Sequence, residues 1–147
     1  MRFVNFIVAC LIFYTSVANA QNDSVDTKPI FIKIEFGGNY AFATLQRNET
    51  TEDFAKKMPI TLSFTKMDDD MIYESDLDLN RTNNDSIPYM TIHEGEIMYE
   101  PFSKRIFLAS SFFFKEFKYI KLGEIKRNAK ILKDIVYQGD LTFYLLR

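Results

Sequence analysis

The chain has 147 residues, 18 basic and 20 acidic, and its formal net charge of −2 argues against a nonspecific nucleic-acid binder. Its single cysteine, Cys10, excludes a disulfide-stapled scaffold, and one histidine without a cysteine partner excludes the usual zinc sites. Fifteen Phe and eight Tyr with no tryptophan favour a β-rich core.

Met1-Arg2 gives a short positive start, residues 3–17 are apolar apart from Asn5, Thr15 and Ser16, and Ala18-Asn19-Ala20 is a small-x-small exit. This is the pattern of a secretory signal peptide over residues 1–20, cleaved after Ala20 and too short and wrongly flanked for a membrane span. Cys10, preceded by Ile7-Val8-Ala9, loosely matches a lipobox, but the apolar run continues past it, so cleavage at Ala20 is the expectation. Losing Arg2 makes the mature chain one unit more negative and leaves no cysteine and no second run of spanning length. Its expected place is the periplasm or the exterior.

Residues 21–29 read as a polar, flexible leader. Residues 30–36 read as a strand, Gly37-Gly38-Asn39 as a turn and residues 40–45 as the returning strand of a hairpin. A short helix is expected over 51–58, capped by Thr50 or Thr51, with Phe54, Ala55 and Met58 on one face and Pro59 as its stop. Residues 60–65 alternate cleanly, with Ile60, Leu62 and Phe64 inward, and Met67-Asp68-Asp69-Asp70 makes a turn to a strand at 71–73.

Residues 76–86 are polar and read as the least structured stretch. Short strands follow at 89–92 and 97–99, and the apolar run 105–114 reads as one central strand with Ile106 and Leu108 inward. Ile125, Ala129, Leu132 and Val136 recur at helical spacing, so a second helix is expected over 126–136, closed by Gly139. Residues 140–146 form a last strand with Leu141 and Phe143 inward. The sum is a mainly β chain: about eight strands and two short helices in a closed barrel over residues 30–147.

Several segments carry a family likeness. They are the strand from Tyr40 to Leu45, Asn48-x-Thr50 through Phe54-Ala55 to Met58-Pro59-Ile60-Thr61-Leu62, Gly95-Glu96-Ile97-Met98-Tyr99, Ile106-Phe107-Leu108 and Lys121-Leu122-Gly123-Glu124-Ile125. Together they resemble the small bacterial cyclophilin-like proteins over essentially the whole mature domain. The resemblance implies a cyclophilin-type β-barrel with a helix near each end, and it does not carry prolyl isomerase activity with it. Two departures stand out: Gly95-Glu96 where the family usually has Gly-Asp, and Phe102-Ser103 after Pro101 where Trp-Gly is common.

The Phe-His-Arg and Phe-x-Met-Gln-Gly-Gly runs of true cyclophilins are absent. An isomerase needs a guanidinium beside an apolar proline pocket, and Arg47, Arg81 and Arg105 are the arginines considered for it. His93-Glu94-x-Glu96 reads as a turn with exposed polar groups, not a catalytic or metal site. Asp76-x-Asp78-x-Asn80 opens like a calcium loop, but Arg81 stands where glycine is required and Ile87 where the closing glutamate belongs. Asn22, Asn48, Asn80 and Asn84 begin glycosylation sequons, which matter only in a eukaryotic secretory pathway.

Residues 68–100 hold ten acids and one base, residues 115–133 seven bases and two acids; the expectation is that the two faces meet or are solvated. The reading is an exported, non-catalytic binding module for a small molecule or peptide, with no cofactor, metal or catalytic residue assigned. Its candidate binding residues are Arg47, Tyr99, Phe102 and Arg105. The alternative is a divergent peptidyl-prolyl cis-trans isomerase.

Overall fold

The computed structural model describes residues 26–67, 72–80 and 87–147. The cleavage point at Ala20, the turn residues Asp68, Asp69 and Asp70, Arg81, and the sequons at Asn22 and Asn84 lie outside them. Nine strands form in the order β1 (Ile30–Phe36), β2 (Asn39–Leu45), β3 (Ile60–Lys66), β4 (Ile72–Asp76), β5 (Ile87–Ile92), β6 (Glu96–Glu100), β7 (Arg105–Ala109), β8 (Phe113–Arg127) and β9 (Gln138–Leu145). Helix α1 (Glu49–Lys56) lies between β2 and β3, and a 3-10 helix, Ala129–Asp134, between β8 and β9.

The strands run β2-β1-β9-β3-β4-β7-β6-β8, and a further β2–β8 pairing closes them into an eight-stranded antiparallel barrel. β5 is outside this ring and, among the described residues, pairs only with β8. The fifteen residues of β8 therefore serve two structures. Its first half, to Tyr119, carries β5; its second half, from Ile120, pairs with β6 and β2.

Local chemistry fixes the first hairpin. Gly37 and Gly38 both take positive φ (56° and 81°), the combination a two-residue primed turn demands, so Phe36 faces Asn39 and each later pair follows in register. Alternation does the same for the core. Ile32, Ile34, Ala41, Leu62, Phe64, Ile106, Leu108, Leu141 and Phe143 are buried, and half-buried Ile60 packs against them. Phe54 of α1 closes one end, its ring 5.3 Å from Phe143 in an edge-on contact.

Four local expectations are corrected. The cap of α1 is Asn48, ahead of both threonines expected in that role: its Oδ1 accepts from the Thr51 N–H while Thr51 Oγ1 accepts from the Asn48 N–H, each at 2.9 Å. The run 105–114 is two strands, broken at residues 110–112. The start of the polar stretch 76–86 is anchored, because Leu77 and Leu79 are buried in the core, while residues 81–86 lie outside the described residues.

The expected helix over 126–136 is the end of β8 followed by the 3-10 helix. Asn128 adopts the left-handed conformation (φ 66°, ψ 37°) and turns the chain out of the strand. Ile131, Leu132 and Ile135 are the buried residues there, whereas Val136 is 62 % exposed, and Gly139 lies inside β9. Ile125 from the strand end and Leu132 from the 3-10 turn point inward, with half-buried Ala129 at the corner between them, and that spacing imitated a helix.

Candidate functional site

Arg47 follows β2, and each of its three guanidinium nitrogens faces an acceptor. Its Nε donates to the Lys28 carbonyl at 3.1 Å, and its terminal nitrogens meet Glu52 at 3.2 Å and Asp26 at 3.4 Å. It borders a niche of about 350 Å³ with Ile30, Ala55 and Leu145. Arg105, at the start of β7, meets Glu74 at 2.6 Å and Asp76 at 3.1 Å. The Glu74 bond holds its guanidinium above even the usual arginine range. The niche beside it, about 120 Å³, is lined by Ser63, Thr65 and Ser75.

Tyr99 points into the barrel, where its hydroxyl accepts from the Leu79 N–H at 3.1 Å, and burial raises its pKa. Phe102 is 80 % exposed at the β6–β7 turn. Three of the four candidates thus share one hairpin, with Tyr99 inside the barrel and Phe102 and Arg105 at its surface, and no residue lines both arginine niches. The structure does not bring the four into one site.

The acidic and basic runs do meet. Glu96 pairs with Lys121 at 3.0 Å and Glu94 with Lys133 at 2.8 Å. Asp78 pairs with Lys104 at 2.9 Å, so the calcium-like opening is occupied by Lys104 and Arg105. His93 and Glu94 are exposed as a turn predicts, but Glu96 is 5 % exposed and accepts from the His93 N–H.

The barrel wall at β6, β7 and β8 is buried on both sides. Ile97, Tyr99, Ile106, Leu108, Ile120 and Leu122 face inward; Met98, Phe107, Ala109 and Tyr119 face out, against Ile92 of β5. Phe107 and Tyr119 meet edge-on at 5.2 Å, and burial, with Glu100 and Glu74 nearby, pushes the Tyr119 hydroxyl up to about 12. This second apolar layer is filled by the chain itself, which is why the 105–109 run lacks polar residues between its inward positions.

A wider cleft, about 760 Å³, opens where β2 meets the end of β8. Tyr40, Phe42, Glu94, Arg127, Asn128, Ala129 and Lys130 line it. Phe42 and Arg127 are cross-strand partners, and the register then shifts so that Ala43 faces Ile125. Asn128 Nδ2 donates to the Tyr40 carbonyl at 2.8 Å, tying the corner to β2. On the far wall, the Gly95 N–H donates to Ala109 and the Gly95 carbonyl accepts from the Ile125 N–H at 2.7 Å, fixing the turn that carries Glu94. The helix expected over 126–136 would put Arg127 and Lys130 on faces other than its apolar one. The one signal against that was Asn128, a residue type suited to a left-handed corner.

Strand order, closure and the two short helices define a closed, eight-stranded antiparallel barrel with one strand added outside. A family model described as cyclophilin-like matches residues 34–144, and the chain belongs to the Cyclophilin-like family. The solution structure of a hypothetical protein from Archaeoglobus fulgidus superposes with a TM-score of 0.59 at 16 % identity, covering 80 % of this chain and 95 % of that one. At that identity the likeness shows the fold alone. A search of curated proteins found no match.

Proposed function

We propose that the chain is exported, with cleavage after Ala20, and that its barrel works as a non-catalytic binding module for a small molecule or a peptide. The supporting observation is the state of the two described arginines that the sequence offered for isomerisation. Arg47 and Arg105 are each held by two carboxylates, so neither guanidinium is available to a twisting prolyl amide. N-terminal sequencing of the exported protein tests the first half, with Gln21 as the expected first residue.

The alternative, a divergent peptidyl-prolyl isomerase, is favoured by one observation: Arg127 stands beside Tyr40 and Phe42 in a single cleft. That cleft is wide and open to water, which weakens a guanidinium's bond to the amide relative to a dry apolar pocket. A proline-peptide isomerisation assay decides between the readings, because the uncatalysed reaction takes tens to hundreds of seconds. The expected result is the uncatalysed rate. Turnover that disappears in Arg127→Ala establishes the isomerase instead.

A further inference from the structure

We infer that the cleft between β2, the β8 corner and the β5–β6 turn is a site for a carboxylate carried on a flat apolar body. This rests on the binding-module reading and names the site and the chemistry of its ligand. Neither Arg127 nor Lys130 has an ion-pair partner among the described residues, although most other basic side chains of the barrel wall are paired. A guanidinium offers two parallel N–H groups, the fork that a carboxylate matches with both oxygens. Lys130 adds a second positive charge on the same wall.

The aromatic side supplies the rest. Tyr40 is 51 % exposed and Phe42 half-buried, and Phe42 sits directly across the strand pair from Arg127. A ligand whose anionic end reaches Arg127 therefore lays its apolar body along these two rings. Lys33 Nζ lies on the β1 side of this wall, 5.4 Å from the centre of the Tyr40 ring and 4.3 Å from that of Tyr144. The volume, about 760 Å³, suits a molecule of drug or dipeptide size.

Glu94 forms the opposite wall and keeps its own partner, Lys133, at 2.8 Å. With Lys133 facing its carboxylate, Glu94 leaves the lining net positive, as an anionic ligand requires. The walls are also held in place before any ligand arrives, by Asn128 on the Tyr40 carbonyl, by Gly95 on β7 and β8, and by Glu94 on the 3-10 helix. A monoacid can come from a small aromatic acid or from the free end of a peptide, and both present the same groups to Arg127.

Amide chemical-shift titration of the purified protein tests this with four probes. They are 3-phenylpropionate, its neutral carboxamide, acetyl-Ala-Phe with a free carboxylate, and the same dipeptide amidated. The acids should shift residues 40, 42 and 127–130, weaken as salt is raised, and bind at least about tenfold more tightly than their amides. Arg127→Ala should weaken the acids about tenfold or more, Lys130→Ala less, and Lys57→Ala, just past α1, not at all. The tighter of the two acids identifies the ligand's source. Equal binding of acid and amide, shifts confined to other residues, or full affinity in a folded Arg127→Ala overturns the site. If a thermal-shift screen then finds ligands elsewhere on the barrel, the binding-module reading survives; if prolyl isomerase turnover appears instead, it falls as well.

Discussion

Gly123 is where the barrel closes, and only the absence of a side chain permits it. A Cβ there would lie 2.1 Å from the Thr44 carbonyl oxygen and 2.8 Å from the Leu45 Cα, both backbone atoms of the strand that β8 must reach. Gly123→Ala should therefore cost about 2–4 kcal/mol in urea denaturation, since the closing strands must part. Gly38 is the contrast. Its Cβ would meet nothing within 4 Å, and Gly38→Ala carries only the left-handed penalty of about 1–2 kcal/mol.

Glu100 gives the residue scale its pH dependence. Burial alone would raise its carboxyl, but the Ser103 hydroxyl and the N–H groups of Ser103 and Phe102 outweigh that and hold it below the usual range. A depressed carboxylate stabilises the fold above the unfolded value of about 4.3 and loses that contribution as the pH falls through the folded value. Glu100→Gln should accordingly be less stable than the parent at neutral pH. The gap should narrow as denaturation is repeated at successively lower pH.

At the scale of elements, α1 shows how one eight-residue helix is held by its first turn. The Asn48–Thr51 exchange satisfies two backbone donors, and Thr51 Oγ1 also donates to the Gln46 carbonyl. Asn48→Ala should cost about 1 kcal/mol. Its neighbour behaves oppositely: Thr50 is fully buried, and its hydroxyl has no hydrogen-bond partner among the described residues. Thr50→Val keeps the shape and removes the unsatisfied group, so its melting temperature should rise, equivalent to about 1 kcal/mol. Equal losses in both variants would mean that the Thr50 hydroxyl is bonded in solution.

Over the whole molecule, stability hangs on strands that are distant in sequence. β9 is inserted between β1 and β3, with Ile34 facing Phe143 on one side and Leu62 facing Leu141 on the other. Removing residues 138–147 would leave two open edges and expose both of those inward rows to water. The truncated chain should show no cooperative unfolding transition, and a retained sharp transition would mean that the remaining strands close without β9.

The hairpin β1–β2, the row Ile60, Leu62 and Phe64, and the last strand were legible along the chain because their information is local. Two glycines dictate one turn, and a period of two dictates one buried face. The closed barrel followed from the number of such strands. What the linear pattern did not reveal was which strands have two buried faces and where an apolar spacing is interrupted. Tertiary structure made Met98, Phe107 and Tyr119 a second layer under Ile92, and turned the apparent helix after Ile125 into a strand end, a left-handed Asn128 and a 3-10 turn. It also paired Arg47 and Arg105 with acids while leaving Arg127 and Lys130 on an open cleft. The sequence determined the alternation, the turn and the helix stop, since each is set by neighbours a few residues away. Only the closed fold decided which cations are neutralised, because that depends on which carboxylates the barrel carries to within a few ångströms.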